Sequence, residues 1–286
     1  MNSASNPPLF SIITPTFLAE QWLQLCIYSV EDQLVSIEHV IQDGSSHDQT
    51  IGIARTSEFV SLESKPDRGM YHALNRALER SSGTYIGHLN ADEQYLPGVL
   101  DRVREIFEQD RSIDVICGDM LLLNADFELV SYRRSCMPPN KSAGRLPLSI
   151  PTCALFWRKS IIGCSIKYRE DLRSLSDSFF VEDLRRATEK WYFDRHPYAV
   201  FVTHDNNLSR SSATATDMHF LSQTENKFNR SSFGLRIRHW TNRILAGGYV
   251  CRKVETAIYT PSSGRQRISI QHNRLTWRWP KTNLFF

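Results

Sequence analysis

No apolar stretch of about 18 or more residues occurs in the 286-residue sequence, which excludes a conventional transmembrane helix. Met1 to Pro8 also lacks the apolar segment of a secretory signal peptide, and these two absences predict a cytoplasmic protein. Cys-x-x-Cys pairs are missing too. Because most of the cysteines lie in apolar segments, we expect buried free thiols rather than disulfides or zinc ligands. They are Cys26, Cys117, Cys136, Cys153, Cys164 and Cys251.

Glycine-rich phosphate loops are equally absent. The chain contains neither Gly-x-Gly-x-x-Gly nor Gly-x-x-x-x-Gly-Lys-Ser/Thr, the loops of dinucleotide-binding and P-loop proteins. A nucleotidyltransferase on a similar sheet would usually carry such a loop after its first strand, yet Thr14 to Glu20 contains no glycine. A nucleotide site in this protein must therefore use another kind of loop.

Acidic residues are scarce at the carboxyl end. From Arg230 to Phe286 there are eleven Lys or Arg residues and one acid, Glu255, a local net charge of +10. The whole chain carries +3, so residues 1–229 carry −7. We treat residues 229–286 as a basic C-terminal extension, and its charge indicates an anionic partner.

The extension has three candidate partners: an anionic membrane surface, the domain itself and a nucleic acid. Arg236 to Leu245 has the pattern of a basic amphipathic helix that binds an anionic membrane surface. The same segment would equally form a helix that packs on the domain with its arginines in water. A nucleic acid would also attract the charge, but no RNA- or DNA-binding motif accompanies it, so no nucleic-acid partner is expected. Residues 259–267 look like a turn between short strands or a loose linker.

Length and composition fit one large soluble domain with an appendage, or two modest domains, because 41% of the residues are hydrophobic and 23% are charged. Short apolar runs alternate with helical patterns through the first half. The alternation predicts an α/β fold with a Rossmann-like, mostly parallel sheet flanked by helices on both faces. The predicted strands are 9–14, 37–41, 59–62, 84–89 and 113–117, and the predicted helices are 21–34, 48–55, 70–80 and 97–109.

An acidic cluster follows the predicted strand at 84–89. Asn90 and Asp92 lie one residue apart, and Glu93 comes next. Ligands collect outside the carboxyl ends of parallel strands, and one or two carboxylates plus substrate phosphates are the usual magnesium arrangement. The alternative is a solvated acidic turn before a helix that Pro97 opens as its first residue.

Other polar clusters follow the second and third strands. Asp43 begins an Asp-Gly-Ser-Ser turn, where its carboxylate either accepts a hydrogen bond from a pyrimidine ring or only shapes the turn. Arg68, preceded by Asp67, presents a fork of donors that fits phosphate oxygens. It could equally form a salt bridge with Asp67 or Asp92. The order of these clusters is specific, because each follows a strand and none is needed for a hydrophobic core.

Four segments in this order closely resemble the family 2 glycosyltransferases of the GT-A fold, in particular those that make bacterial O-antigen and exopolysaccharide. The resemblance is strong over about residues 9–120 and weaker to about 210. It implies a GT-A domain over 1–228, with a nucleotide-sugar half (about 9–120) and an acceptor half (about 121–228). The segments are Ser11 to Phe17, Ile41 to Thr50, Lys65 to Asn75 and Ile86 to Glu93.

The resemblance implies an inverting, metal-dependent transfer of a hexosyl or N-acetylhexosaminyl group. The donor would be a nucleotide-diphosphate sugar, a UDP-sugar in the first instance, and the acceptor a saccharide or a lipid-diphosphate-linked glycan of a cell-surface polysaccharide. An acceptor of this kind would place the protein peripherally on the inner face of the plasma membrane. The nucleotide would be bordered by Thr14, Pro15, Thr16, Asp43 at the base, Asp67, Arg68, Asn90 and Ala91.

The metal, Mn²⁺ or Mg²⁺, would be held by Asp92 with support from Asn90. The sequence departs here from the family pattern, because Asn90 stands where the family usually has Asp. Gln42, His72 and Glu93 likewise replace common Asp residues. If Asn90 abolished metal binding, the protein would be a catalytically silent nucleotide-sugar binder.

The general base of the transfer reaction is expected in the acceptor half. Residues 168–180 resemble the family segment in which an Asp begins a helix near the acceptor, which makes Asp177 the candidate. A carboxylate within reach of the attacking hydroxyl is a competent general base. Alternatively, Asp177 only stabilises the helix N-terminus through the helix dipole. Glu170 and Asp171 are rivals, whereas residues 182 and 183 are expected on a solvated helix face.

Overall fold

The computed structural model of the protein describes residues 7–140, 142–143, 145–146, 148–163, 165–205, 207, 212–224 and 233–275. The described strands are β1 (Phe10–Thr16), β2 (Ile37–Asp43), β3 (Val60–Ser64), β4 (Tyr85–His88), β5 (Glu93–Tyr95), β6 (Val115–Leu123), β7 (Leu129–Arg133), β8 (Leu155–Arg158), β9 (Trp191–Val202), β10 (Arg252–Ile258) and β11 (Ile268–Leu275). The helices are α1 (Leu23–Glu31), α2 (Thr50–Ala54), α3 (Met70–Arg80), α4 (Val99–Gln109), α5 (Ser176–Ala187), α6 (Ala213–Thr224) and α7 (Phe233–Leu245).

Nine strands form one sheet in the order β3-β2-β1-β4-β8-β6-β9-β5, with β7 paired to β6. The pairs β3–β2, β2–β1, β1–β4 and β6–β9 are parallel. β8 is antiparallel to both β4 and β6, so β6 and β9 run in the same direction as β1 to β4. Only β5, β7 and β8 run the other way, which confirms the predicted α/β fold with a mostly parallel sheet.

The sheet is covered by helices on both faces, as predicted. Successive side chains of a strand point to opposite faces, and β1 shows this directly. Phe10 and Ile12 pack in a core with residues of α1 and α4, whereas Ile13 packs in a second core with residues of α3 and α5. This double burial explains why apolar residues occupy both alternating faces of β1.

The start of α4 differs from the prediction. The helix begins at Val99, and its N-cap is Gly98 in the left-handed region (φ 72°), so Pro97 is not a helical residue. The backbone N–H of Leu96 donates to the Tyr198 carbonyl at 2.9 Å, which ties the preceding residue to β9. The chain must therefore turn after Pro97 before the helix can begin, and glycine adopts the required positive φ without strain.

The cysteine prediction is confirmed for four of the six residues. Cys26, Cys117, Cys136 and Cys153 are buried free thiols, and burial raises the pKa of each. Cys251 is a free thiol at the surface. Cys164 lies outside the described residues.

The described part of the C-terminal extension packs on the sheet domain. Val254, Ile258 and Tyr259 join the core that contains Phe10, and β10 pairs with β11 across the predicted turn at 259–267. Gln94 donates to the Tyr259 carbonyl at 3.0 Å and accepts from the Tyr259 N–H at 2.9 Å. The predicted domain boundary at 228/229 falls in 225–232, outside the described residues, and stays a prediction.

Gly118→Ala should destabilise the fold, because a Cβ at this position of β6 would lie 2.1 Å from Cγ of the buried Tyr198 ring. Overpacking of this kind typically costs about 1–3 kcal/mol. Gly234→Ala in α7 is the control, since no described atom lies within 4 Å of its added Cβ. Urea unfolding should show a lower midpoint for G118A than for the parent protein. The midpoint of G234A should not fall below that of the parent. Equal midpoints for G118A and the parent protein would contradict the observed β6–β9 packing.

Candidate active site

The predicted polar clusters meet at one edge of the sheet, at the carboxyl ends of β1, β2 and β4. Thr16 lies opposite Asp43 in the β1–β2 register, and the Leu89 N–H after β4 donates to the Ile13 carbonyl at 3.1 Å. Ala91 packs in a small core with residues of the loop after β1 and of α1. This edge of an open parallel sheet is where ligands bind in α/β proteins.

Asp43 is fully buried, and its carboxylate holds three strand ends together. Oδ1 accepts from the hydroxyls of Thr16 (3.2 Å) and Ser46 (2.6 Å). Oδ2 accepts from the Ser46 N–H (2.9 Å) and from the Ser64 hydroxyl (2.6 Å). Four donors therefore share one carboxylate. The structure thus shows that Asp43 orders the turn after β2. Its direct contact with a nucleobase stays a prediction.

Thr14 and Pro15 lie in β1, which pairs with β2 and β4. The Thr14 hydroxyl donates to the Leu89 carbonyl at 2.7 Å and contacts His39 Nε2 at 2.8 Å, and both side chains are buried. Burial lowers the pKa of His39 to about 3, so this ring is neutral at pH 7. Thr14 therefore links β1, β2 and the end of β4 below the site.

Asp67 and Arg68 shape the turn that enters α3. Asp67 Oδ1 accepts from the Gly69 N–H at 2.8 Å, and its Oδ2 lies 2.8 Å from where a Cβ on Gly44 would sit. Arg68 forms a salt bridge with Glu170, so neither Asp67 nor Asp92, the partners considered from the sequence, is its partner. Glu170 also accepts from Asn75 Nδ2 at 2.9 Å, which ties this rival base to α3.

Asp92 meets two residues of the acceptor half that sequence patterns did not reveal. Its Oδ2 lies 3.0 Å from His204 Nε2 and accepts from Asn207 Nδ2 at 2.9 Å. The His204 ring also stacks on Trp22 at the start of α1, with ring centroids 4.7 Å apart and planes 13° apart. A carboxylate and an imidazole nitrogen therefore converge at the mouth of the site.

Asn90 faces a buried histidine. His88 Nε2 lies 2.9 Å from Asn90 Oδ1, and the Tyr168 hydroxyl lies 3.1 Å from His88 Nδ1. Burial lowers the pKa of His88 to about 4, so the ring is neutral at pH 7. A neutral ring satisfies both contacts if Nε2–H donates to Asn90 and Nδ1 accepts from Tyr168.

Asp177 lies in the first turn of α5, as expected, and its side chain is partly buried, with Oδ1 shielded from solvent. Burial raises its pKa from 3.8 to about 7, while the neighbouring Tyr71 hydroxyl acts in the opposite direction. Its Oδ1 has no hydrogen-bond partner among the described residues. The carboxyl group can therefore exchange a proton near neutral pH, which is the property a general base requires.

The loop before α5 is fixed by the buried Asp217. The Asp217 carboxylate of α6 accepts from the backbone N–H groups of Arg173, Ser174 and Leu175 at 2.7–3.0 Å. No sequence pattern singled out Asp217. Because these bonds order the residues that lead into Asp177, they place the carboxyl group of the candidate base.

Asp92 and Asp177 act on one shared region. Burial and the charges of both Asp92 and Asp177 raise the pKa of Glu93, which is buried beside Asp92. The Asp177 charge also raises the pKa of Tyr168, the residue that contacts His88. Glu93 is therefore the buried group that both carboxylates influence. Glu93 itself accepts from the Asn90 N–H at 2.7 Å and supports the loop from below.

A divalent cation fits the chemistry of the Asp92–His204 pair. The two side chains remain partly accessible, 22% and 12% exposed, so a ligand can reach them. No group of three or more His, Cys, Asp or Glu residues in the described chain could hold a metal alone. Two protein ligands completed by diphosphate and water match the usual arrangement of Mg²⁺-type cations with phosphate substrates. Asn90 stays a predicted ligand, with its amide oxygen engaged by His88.

The family model for Glycosyl transferase family 2 matches residues 11–162, more than half of the chain. The chain belongs to glycosyl transferase family 2. The matched region of this glycosyltransferase contains Asp43, Asp67 and Asp92 but ends before Asp177 and His204. The match extends into the predicted acceptor half (about 121–228), and the assignment of that half to the acceptor stays a prediction.

Two curated relatives agree with this assignment. The chain is 26% identical over 261 residues to a protein of Mycobacterium bovis named PGL/p-HBAD biosynthesis glycosyltransferase, with 86% of this chain and 96% of the relative covered. It is also 26% identical over 200 residues to the uncharacterized glycosyltransferase EpsJ of Bacillus subtilis, covering 64% of this chain and 54% of the relative.

Solved structures show the same fold. TarS 1–349 of S. aureus in complex with UDP-GlcNAc matches with a TM-score of 0.59 at 16% identity, covering 72% of this chain and 60% of that chain. The mannosyltransferase PcManGT of Pyrobaculum calidifontis, in complex with GDP-Man and Mn²⁺, matches with a TM-score of 0.50 at 13% identity. The match covers 85% of this chain and 81% of that chain. The predicted GT-A fold is confirmed.

Asp177→Asn should stabilise the ligand-free protein increasingly as pH rises. Well below pH 3.8, Asp177 is protonated in both folded and unfolded chains, so its ionisation has no effect. Between pH 3.8 and about 7 only the unfolded chain ionises, which lowers the stability of the parent protein as pH rises. The amide avoids this loss, which amounts to a few kcal/mol because a tenfold change in proton affinity is about 1.4 kcal/mol.

Urea unfolding at pH 5 and pH 8 measures the effect. The advantage of D177N over the parent should be larger at pH 8, whereas the exposed Asp183→Asn on the same helix should show no such trend. An advantage independent of pH would contradict the raised pKa of Asp177.

Proposed function

We propose that this family 2 enzyme transfers a hexosyl or N-acetylhexosaminyl group, with inversion, from a nucleotide-diphosphate sugar to a glycan acceptor in cell-surface polysaccharide or glycolipid synthesis. One observation carries the proposal. Asp92, which contacts His204 at the strand edge, and Asp177 both raise the pKa of the buried Glu93, and the Asp177 pKa of about 7 suits a base. A cation-supported leaving group and a base are the two elements that a direct displacement requires.

A UDP-sugar is the proposed donor. Two TarS structures contain UDP or UDP-GlcNAc, and PcManGT contains GDP-Man, so proteins of similar fold bind nucleotide sugars. We assign the nucleoside to the loops after β1 and β2, bordered by Thr14, Pro15 and Thr16. We also assign Asp67, Arg68 and Ala91 to the nucleotide. Asp43 binds the nucleobase, either directly or by ordering the Ser45–Ser46 backbone.

Asp92 and His204, with Asn90, would hold Mn²⁺ or Mg²⁺. When bound, the cation supplies Lewis-acid stabilisation of negative charge on the diphosphate leaving group. Asn207 orients the Asp92 carboxylate by donating to Oδ2, and Trp22 fixes the plane of the His204 ring by stacking on it. Partners of this kind set the direction of ligand lone pairs.

Asp177 takes the proton of the acceptor hydroxyl. As that oxygen forms a bond to the anomeric carbon, the bond from the same carbon to the diphosphate oxygen breaks and its electron pair leaves with the nucleotide. Attack from the face opposite the leaving group inverts the anomeric configuration. No covalent enzyme intermediate forms. Oδ1 of Asp177 is shielded from solvent, and the loop held by Asp217 keeps the carboxyl group in place.

The acceptor is a saccharide or a lipid-diphosphate-linked glycan, and the site of action is the cytoplasmic face of the plasma membrane. No helix in the described residues is long and apolar enough to cross a bilayer. Association with the membrane in this proposal is therefore peripheral.

Asp177→Asn should lower kcat by about 100- to 10,000-fold, the usual contribution of a positioned base. Nucleotide diphosphate affinity in the presence of Mn²⁺ should stay near that of the parent protein, because Asp177 serves the acceptor rather than the donor. Asp183→Asn, an exposed acid on the same helix, should leave kcat unchanged. Steady-state turnover and isothermal titration provide the two readouts. Normal turnover by D177N would remove Asp177 from the mechanism.

Asp92→Ala and His204→Ala should each weaken Mn²⁺ and UDP binding together, by about 10- to 100-fold or more, because both residues are assigned to one cation. Asp101→Asn, an exposed acid in the first turn of α4, is the matched control and should bind as the parent does. Titration with UDP in the presence and absence of Mn²⁺ separates the metal-dependent part. If the parent protein bound UDP with the same affinity with and without Mn²⁺, a metal-independent mechanism would be favoured instead.

A further inference from the structure

Helix α7 exposes its apolar face rather than burying it. Phe233, Ile237, Trp240 and Ile244 are 79%, 47%, 56% and 43% exposed. Their spacing of four, three and four residues places them in one stripe along the helix. His239 and Arg243, by contrast, are buried against the domain. This distribution is the reverse of that expected for a helix that only packs on a globular protein.

Polar contacts fix the rotation of α7. His239 Nδ1 lies 3.3 Å from the Ser149 hydroxyl, and Asn242 Nδ2 donates to the Met137 carbonyl at 2.9 Å. Just after the helix, the Arg134 guanidinium donates to the Ala246 carbonyl at 2.8 Å. Rotating the helix to bury its apolar stripe would break these contacts and leave buried polar groups unpaired, which is costly. The stripe is therefore held outward.

Positive charge flanks the stripe. Arg236 and Arg238 are exposed on either side of it, and Lys253 is exposed a few residues beyond Tyr249 and Val250, which are also exposed. An apolar stripe with an exposed tryptophan and flanking cations is the pattern of helices that lie in the interface of an anionic bilayer.

We propose that the outward face of α7 docks on an anionic lipid bilayer as a shallow interfacial anchor. The inference rests on the proposed function for its purpose, because it names the membrane surface from which a lipid-linked acceptor would be drawn. A symmetric contact between two copies fits less well, since it would bring the flanking arginines of both copies together. The charge favours lipid headgroups.

Helix α7 is linked through one loop to α5, the helix that carries Asp177. The loop that α7 contacts through Met137 and Ser149 also reaches α5, where the Ala143 N–H donates to Glu182 at 3.1 Å. Ser149 and Ser178 line one small cavity, and Ser178 follows Asp177 directly. Docking through α7 would thus hold the helix that carries the proposed base at a fixed position relative to the bilayer.

Co-sedimentation of the full chain with vesicles tests the proposal. The parent protein should bind vesicles of phosphatidylglycerol and phosphatidylcholine, and bind phosphatidylcholine alone much less. The double variant Ile237→Ser, Trp240→Ser should bind about tenfold more weakly or worse, because it removes two apolar side chains from the interface. Leu34→Ser is the matched control, since Leu34 is 91% exposed and distant in sequence, and it should bind as the parent does.

A second pair isolates the charge. Arg236→Gln with Arg238→Gln should weaken binding to the anionic vesicles several-fold and reduce its dependence on salt. Arg186→Gln, an exposed arginine of α5, should not. Circular dichroism melting checks that every variant is folded.

Three results would overturn the proposal: parent protein that ignores anionic vesicles, undiminished binding by I237S/W240S, or a parent dimer that this variant dissociates. Hydrolysis of UDP-sugars without vesicles tests the proposed function separately, and I237S/W240S should leave it unchanged. Vesicle binding by a protein that turns over no nucleotide sugar would support the anchor and contradict the proposed chemistry.

Discussion

The contact between Asp92 and His204 joins the two halves of the molecule, and the proposed site depends on it. Asp92 comes from the loop after β4, in the nucleotide half, and His204 follows β9, in the acceptor half. The antiparallel pairing of β5 with β9 places Glu93 opposite Phe201, so the residues just before β5 lie beside those just after β9. A three-residue strand, β5, therefore brings together the two residues on which the proposed site depends.

The two carboxylates of the proposed mechanism differ in their surroundings. Asp92 Oδ2 accepts from Asn207 and lies beside His204 Nε2 at the mouth of the site, whereas Asp177 is partly buried, with one shielded oxygen unpartnered among the described residues. In the proposed mechanism Asp92 faces the cation, and the raised pKa of Asp177 suits this carboxyl group to gain and lose a proton.

Local patterns predicted much of the fold. The helix at 70–80 was predicted with the observed bounds of α3, and β1 and β4 shift by two residues or fewer, because apolar spacing and turn residues act over short distances. The helix predicted at 21–34 overshoots, since α1 ends at Glu31 and Leu34 is exposed. β5 was missed because its three residues carry no periodicity and its partner lies about a hundred residues away. His204 and the Arg68–Glu170 pair were missed for the same reason, since both are long-range contacts.

Pulsed electron paramagnetic resonance of Mn²⁺ bound together with UDP tests the central claim most directly. The account predicts that one Mn²⁺ ion shows both ³¹P coupling from the diphosphate and ¹⁴N coupling from a histidine. Substituting His204→Gln should remove the ¹⁴N coupling and leave the ³¹P coupling. A Mn²⁺ ion coupled to phosphorus but never to nitrogen in the parent protein would contradict a site shared by Asp92 and His204.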